Sequence, residues 1–145
     1  MLGNSALSVP AVSDAVPNAK NWVKTWQASG YGIKMVQGNL SPEVMKWHDQ
    51  MVQLIGAQAN TLPLNGLVVI QDAFDMFKAA VEATHSTDGP TLAKWIETNG
   101  YQGLRAKFTF TPTRHNGLTS ETVGWAIPGT LKDGFLQAAP LTGNP

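Results

Sequence analysis

The chain has 145 residues, enough for one ordinary domain with a real core but with little room for two. Hydrophobic residues make up 43% of it and charged residues 14%, a balance that excludes wholesale disorder. Ten basic and ten acidic side chains cancel without any Lys/Arg block, so nothing points to a nucleic-acid partner, and the absence of cysteine excludes disulfides, thiolate catalysis and thiolate metal ligation.

The first forty residues are ambiguous. Trp22, Val23 and Trp26 suit a helix, while Trp22, Lys24 and Trp26 suit a strand with two aromatics on one face. Ser41-Pro42-Glu43 is a strong helix start: Ser supplies a capping acceptor, Pro tolerates the first turn and Glu favours the positive end of the helix dipole. Val44, Met45, Trp47, Met51, Val52, Leu54 and Ile55 then recur at helical spacing, which predicts a helix over 42–55 stopped by Gly56. A second helix is predicted over 63–84, with Leu67, Ile70, Ala73, Phe74, Phe77, Ala80 and Val81 as one broad apolar stripe. As the most apolar helix it is expected to be the most buried, with Phe74, Phe77 and Val81 as core and Trp47, Trp95 and Phe108 packed around them. Asp88 is expected to cap a short third helix over 90–98, with Pro90 just inside its start and Gly100 as a left-handed stop.

The period then changes. Leu104, Ala106, Phe108 and Phe110 alternate with Arg105, Lys107 and Thr109, the pattern of a half-buried strand ended by Pro112. A polar turn leads to a second strand expected over 121–127, closed by Pro128-Gly129, and the two strands could pair as a hairpin. Residues 141–145 read as a frayed tail. The first ten residues lack the basic segment and apolar run of a signal peptide, and Leu67 to Ile70, the longest apolar run, is far below the roughly 20 residues of a membrane helix. A soluble chain is expected, with its compartment left open.

Chemistry-bearing motifs are few. Gly3-Asn4-Ser5-Ala6-Leu7 begins like a nucleophile elbow, but Leu7 stands where the sharp turn requires Gly. His48, His85 and His115 are not spaced as paired zinc ligands; His48 reads as a solvated histidine, and His85 as part of a helix C-terminus, where a cation is favourable. Asp72 and Asp75 could form an acid/base pair on one helix face, yet carboxylates three apart more often lie on a solvated face, and that reading is preferred. No glycine-rich phosphate loop or other cofactor signature occurs, so no cofactor and no metal are expected.

The order of several motifs resembles the C-terminal part of type I periplasmic binding proteins of the branched-chain amino-acid-binding family, the substrate-binding proteins of ABC transporters. Gly3-Asn4-Ser5-Ala6-Leu7 with Pro10 is similar to a loop of the family's second lobe, Ser41-Pro42-Glu43-Val44 to a helix start, and Gln71-Asp72-Ala73-Phe74 to the Tyr-Asp-Ala-Val stretch of a long helix. Ser86-Thr87-Asp88, then Tyr101 through Pro112, then His115-Asn116, are similar to the family's closing order of helix, Gly turn, strand and loop. Gln71 departs from the common Tyr, and residues 19–37 match poorly.

The resemblance implies an α/β fold, mixed in this fragment, with three helices and a few strands. It maps residues 1–27 and 119–145 to the second lobe and 41–118 to the first. It implies a small-molecule ligand, a membrane permease as partner, no nucleic acid, no enzymatic activity, and a periplasmic or extracellular location for an intact member. Intact members are more than twice this length, so the chain is expected to be one incomplete unit, a fragment or truncated gene product not competent to bind alone. Asn4, Ser5 and Ala6 occupy the place of ligand-contacting residues, but the neutral Ser5 cannot supply the acidic group that holds an amino acid's ammonium. Helix faces deprived of a sheet are expected to be covered by homodimerisation, with the 104–110 strand a candidate for exchange. Two alternatives stand beside this reading: a self-associating structural module without ligand, and a small serine hydrolase built on Ser5, His115 and Asp72 or Asp88.

Overall fold

A computed structural model of the chain describes residues 27–119 and 122–138. Among the described residues it is a mixed α/β fold of three helices and five strands in two small sheets. Helix α1 spans Pro42–Ile55, α2 Leu64–Thr84 and α3 Gly89–Asn99. Strand β1 spans Gln27–Gly32, β2 Tyr101–Gln102, β3 Lys107–Phe108, β4 Val123–Lys132 and β5 Phe135–Ala138. Among the described residues no helix is long and apolar enough to cross a membrane.

The helix ends follow local chemistry. Ser41 Oγ accepts from Val44 N–H at 3.3 Å to open α1, and Gly56, at φ 64, gives its N–H back to Val52. Asp88 opens α3 by accepting from Thr91 N–H at 3.0 Å. Gly100 stops α3 at φ 63, donating to Ile96 O at 2.8 Å, and a Cβ there would stand 2.6 Å from Phe108 O. At α2 no side chain caps the start; Leu64 N–H instead donates to the carbonyl of Gly134, 3.1 Å away.

The larger sheet has strand order β1-β4-β5, antiparallel throughout. β4 and β5 join through Asp133 and Gly134 at φ 53 and 77, the double positive-φ conformation of a tight hairpin turn. The turn is wedged against the helical layer. Gly134 N–H donates to Asn60 O at 3.0 Å, and a Cβ on Gly134 would lie 2.5 Å from both Ala59 O and Leu64 Cγ, so glycine is required on two counts. Gln37 extends the same sheet edge, donating its N–H to Leu136 O at 2.8 Å and its side-chain amide to Lys132 O at 2.7 Å. Met35, Val44, Trp47, Leu64, Val68 and Phe135 form the main core, and Val36, Ala126 and Leu136 a smaller one.

Four expectations are corrected. The 104–110 alternation contributes only β3, because the chain bends at Leu104 and Arg105, and β3 pairs with β2 (Tyr101↔Phe108, Gln102↔Lys107). The hairpin between 104–110 and 121–127 is therefore absent among the described residues, and β4 lies instead between β1 and β5. Pro128-Gly129 does not end β4; the strand runs on to Lys132 with a register shift between Ile127 and Leu131, an irregularity of the kind that accommodates a proline without its N–H. The fourth correction is the largest: Phe74 and Phe77 are exposed and Val81 is only half-buried, whereas Trp47 and Phe108 are buried as expected and Trp95 is half-buried. The buried line of α2 is Leu64, Val68, Asp72 and Ala80.

Candidate functional site

Leu64, Val68 and Asp72 are spaced by four and stack on one face of α2, so the packing that buries the two aliphatic side chains also carries a carboxylate inward. Asp72 is 3% exposed. Its Oδ1 accepts from Leu104 N–H at 2.6 Å and its Oδ2 from Arg105 N–H at 3.1 Å, so one side chain holds two consecutive amides of the bend between β2 and β3. Gly103 makes the approach possible, since a Cβ there would stand 2.6 Å from Asp72 Oδ1. Burial pushes the Asp72 carboxyl above its ordinary range, opposed by the two amides and by the charge of Arg105. The Arg105 guanidinium lies 5.4 Å from the centre of the Phe108 ring, where it can make a cation–π contact. The expectation of a solvated Asp72 is thus reversed.

Beside this carboxylate opens a cleft of about 320 Å3. Lys34, Ser41 and Glu43 form one wall, Asp72 and Asp75 a second, and the segment from Tyr101 to Leu104 the third. Three carboxylates face a single lysine. Glu43 is held below the usual carboxylate range by a backbone hydrogen bond, by the Ser41 hydroxyl and by Lys34, so it is ionised over the whole neutral range. Asp75 accepts from Gln71 Nε2 at 2.7 Å. The Tyr101 phenol is pushed up by burial and by the charges of Asp75 and Asp72, which keeps its proton available for donation. Among the described residues no group of three or more His, Asp or Glu side chains is placed to hold a metal ion. What the cleft offers is negative potential and hydrogen-bonding groups, in a volume at the small end of ligand pockets.

A second cavity of about 290 Å3 lies where Met76, Ala93, Ile96 and Phe110 meet, with Glu97, Thr111 and His115 also lining it. The Nε2 of His115 lies 3.0 Å from the Pro112 carbonyl, its hydrogen-bond partner. Of the groups named for a hydrolase, Ser5 lies outside the described residues, Asp72 is engaged by Leu104 and Arg105, and Asp88 by the amide and hydroxyl of Thr91. Asn4, Ser5 and Ala6, the residues named for ligand contact, and Trp22 with Trp26, also lie outside the described residues.

His48 is a further correction. It is buried, because α1 turns Val44, Trp47 and His48 inward together. Its Nε2 lies 3.0 Å from Asn60 Oδ1, its Nδ1 3.6 Å from Asp49 Oδ1, and its ring centre 5.7 Å from that of Phe135. The histidine ties α1 to the segment that receives the β4–β5 turn. His85 sits at the C-terminal end of α2 as expected, at φ 51.

Sequence reasoning missed Lys34, Glu43 and Tyr101 as neighbours of Asp72. The available signal was local to α2: Asp72 falls four after Val68 and eight after Leu64, within the helix's inward line. No protein-family model matches the chain, and no curated protein matches it.

Proposed function

We propose that the chain acts by binding rather than by catalysis, as part of a substrate-binding protein of an ABC transporter similar to the branched-chain amino-acid-binding type. The observation that carries this reading is the cleft beside Asp72: each of its walls carries polar or charged side chains, and its one buried carboxylate is occupied by backbone amides rather than poised to move a proton. The order of elements that the resemblance implies supports it, since a long helix, an Asp88-capped short helix, a Gly100 turn and a strand follow one another in α2, α3 and β2–β3. The ligand class is a small polar metabolite carrying an ammonium group, which Glu43 and Asp75 attract while the Ser41 and Tyr101 hydroxyls orient it. The partner of such a protein is a membrane permease that receives the ligand.

Calorimetric titration with leucine, isoleucine, valine and a simple primary amine tests the reading. Binding is expected to be weak, with a Kd on the order of 1 mM, because one open cleft offers few of the contacts that a closing two-lobed site provides. The heat should vanish in a Glu43→Gln, Asp75→Asn double variant that keeps its fold. Heat unchanged in that variant, or turnover of simple esters that is lost in Ser5→Ala, overturns it.

A further inference from the structure

Among the described residues, the α2 face opposite Asp72 is apolar and uncovered. Leu67, Ile70, Phe74 and Phe77 are 37%, 68%, 65% and 50% exposed, and half-buried Val81 continues the line. Their spacing alternates three and four, the 3.5-residue period of a helix seam built to meet another helix, and no charged residue interrupts it. Taking 150 to 250 Å2 for a whole aromatic side chain and somewhat less for an aliphatic one, these four side chains expose on the order of 400 Å2, within the range of the largest patch on a typical monomer.

From this seam we infer that α2 pairs with α2 of a second copy of the chain, antiparallel about a two-fold axis. The occupant follows from the seam itself. A copy presents the same period by construction, and the antiparallel register that sets Phe74 against Phe77 of the second copy also sets Ile70 against its Val81, so the ends match as well as the centre. The parallel alternative stacks Lys78 beside Lys78 of the second copy and aligns the two helix dipoles, both repulsive; the antiparallel one separates the lysines and opposes the dipoles. Two such patches bury on the order of 800 Å2 of apolar side chain, and the stems of flanking residues such as Gln71 and Lys78 bring the total to about 1,000 Å2. That lies at the low end of specific interfaces, so the dimer is weak and reversible. The inference is independent of the ligand reading, because the seam and the cleft occupy opposite faces of α2.

Sedimentation equilibrium of the full chain between about 1 and 200 µM tests it. The expected result is a 15.5 kDa species at the dilute end that doubles in mass with concentration. Phe74→Glu and Phe77→Glu, both at exposed positions and so compatible with folding, should each remain at the single-chain mass with unchanged circular dichroism. A chain that stays monomeric throughout, whether the seam is bare or covered by its own residues, or a dimer that survives both substitutions, overturns the proposal. The absence of cysteine allows a single spin label through Glu82→Cys. The antiparallel register puts the two labelled positions on the order of 20 Å apart along the axis, against about 10 Å between adjacent parallel helices, and the shorter distance also overturns it.

Discussion

On α2 the line through Leu64, Val68 and Asp72 and the line through Ile70, Phe74 and Phe77 lie on opposite sides of one cylinder, and their burial runs against their polarity. The carboxylate is inside and the two phenylalanines are outside. The inward line is chosen by what the rest of the chain brings to it: Met35, Trp47 and Phe135 pack on Leu64 and Val68, and two amides from the bend after β2 meet Asp72. The outward line has a higher apolar content and, among the described residues, receives no such elements. Hydrophobicity says which side chains gain from burial, but which face of a helix is buried depends on where partners for its backbone and side chains arrive from distant parts of the chain.

The sharpest way to break this comparison is to remove the inward carboxylate. Asp72→Ala strands the amides of Leu104 and Arg105 and should cost about 2 to 5 kcal/mol, read by urea denaturation. A loss below about 1 kcal/mol would mean that water replaces the carboxylate and that the inward line carries little stability. Gly103→Ala should cost about 1 to 3 kcal/mol, since its Cβ would crowd Asp72 Oδ1 and the Phe108 ring at 2.6 and 2.8 Å.

Acid titration sharpens the contrast further. The folded carboxyl of Asp72 is raised above the ordinary 3.8, so between the two values the folded state binds more protons than the unfolded one. That group's contribution to stability is full below pH 3.8 and falls as pH rises through its folded pKa. The opposite holds for Asp88, whose carboxyl is lowered chiefly by the hydroxyl and amide of Thr91 and whose contribution is lost as pH falls. The difference in stability between wild type and Asp72→Asn, followed by denaturation from pH 3 to 7, should move against Asp72 as pH rises. A difference that moves the other way places hydrogen bonding above burial at this carboxyl. The smallest effect is expected on the outer line: Phe77→Ala, measured at low micromolar concentration, should cost under about 1 kcal/mol, against the 3 to 5 kcal/mol of a fully buried phenylalanine.

The helices were legible because their ends are written locally. Ser41, Gly56, Asp88 and Gly100 each act within four residues of themselves, and α1 runs over the residues its caps predict. The site was not legible for the converse reason: Asp72 meets its two donors 32 and 33 positions away, and the sequence near Asp72 carries no mark of them. The same distance hides the burial of His48, whose ring rests on Phe135. Strand pairing failed in another way. Alternation over 104–110 is real, with Ala106 and Phe108 buried, but a bend at 104–105 and a local partner in Tyr101–Gln102 leave two residues of strand. Asp133-Gly134 is a strong turn signal, and it lies beyond Pro128-Gly129, the expected end of the strand.

The wedged turn at Asp133-Gly134 also orders events in time. It supplies the acceptor for the first amide of α2, and Phe135, next along the chain, completes the core that Met35 and Trp47 begin. Gln37 and Lys132, bonded across the same sheet edge, are 95 positions apart. At roughly 5 to 20 residues per second of synthesis, helices α1 to α3 emerge a few seconds before the hairpin that closes over them. Until then the nascent chain holds Leu64 and Val68 without their cover. High contact order of this kind makes folding slow and late, a step taken when the last strand arrives rather than one that proceeds helix by helix.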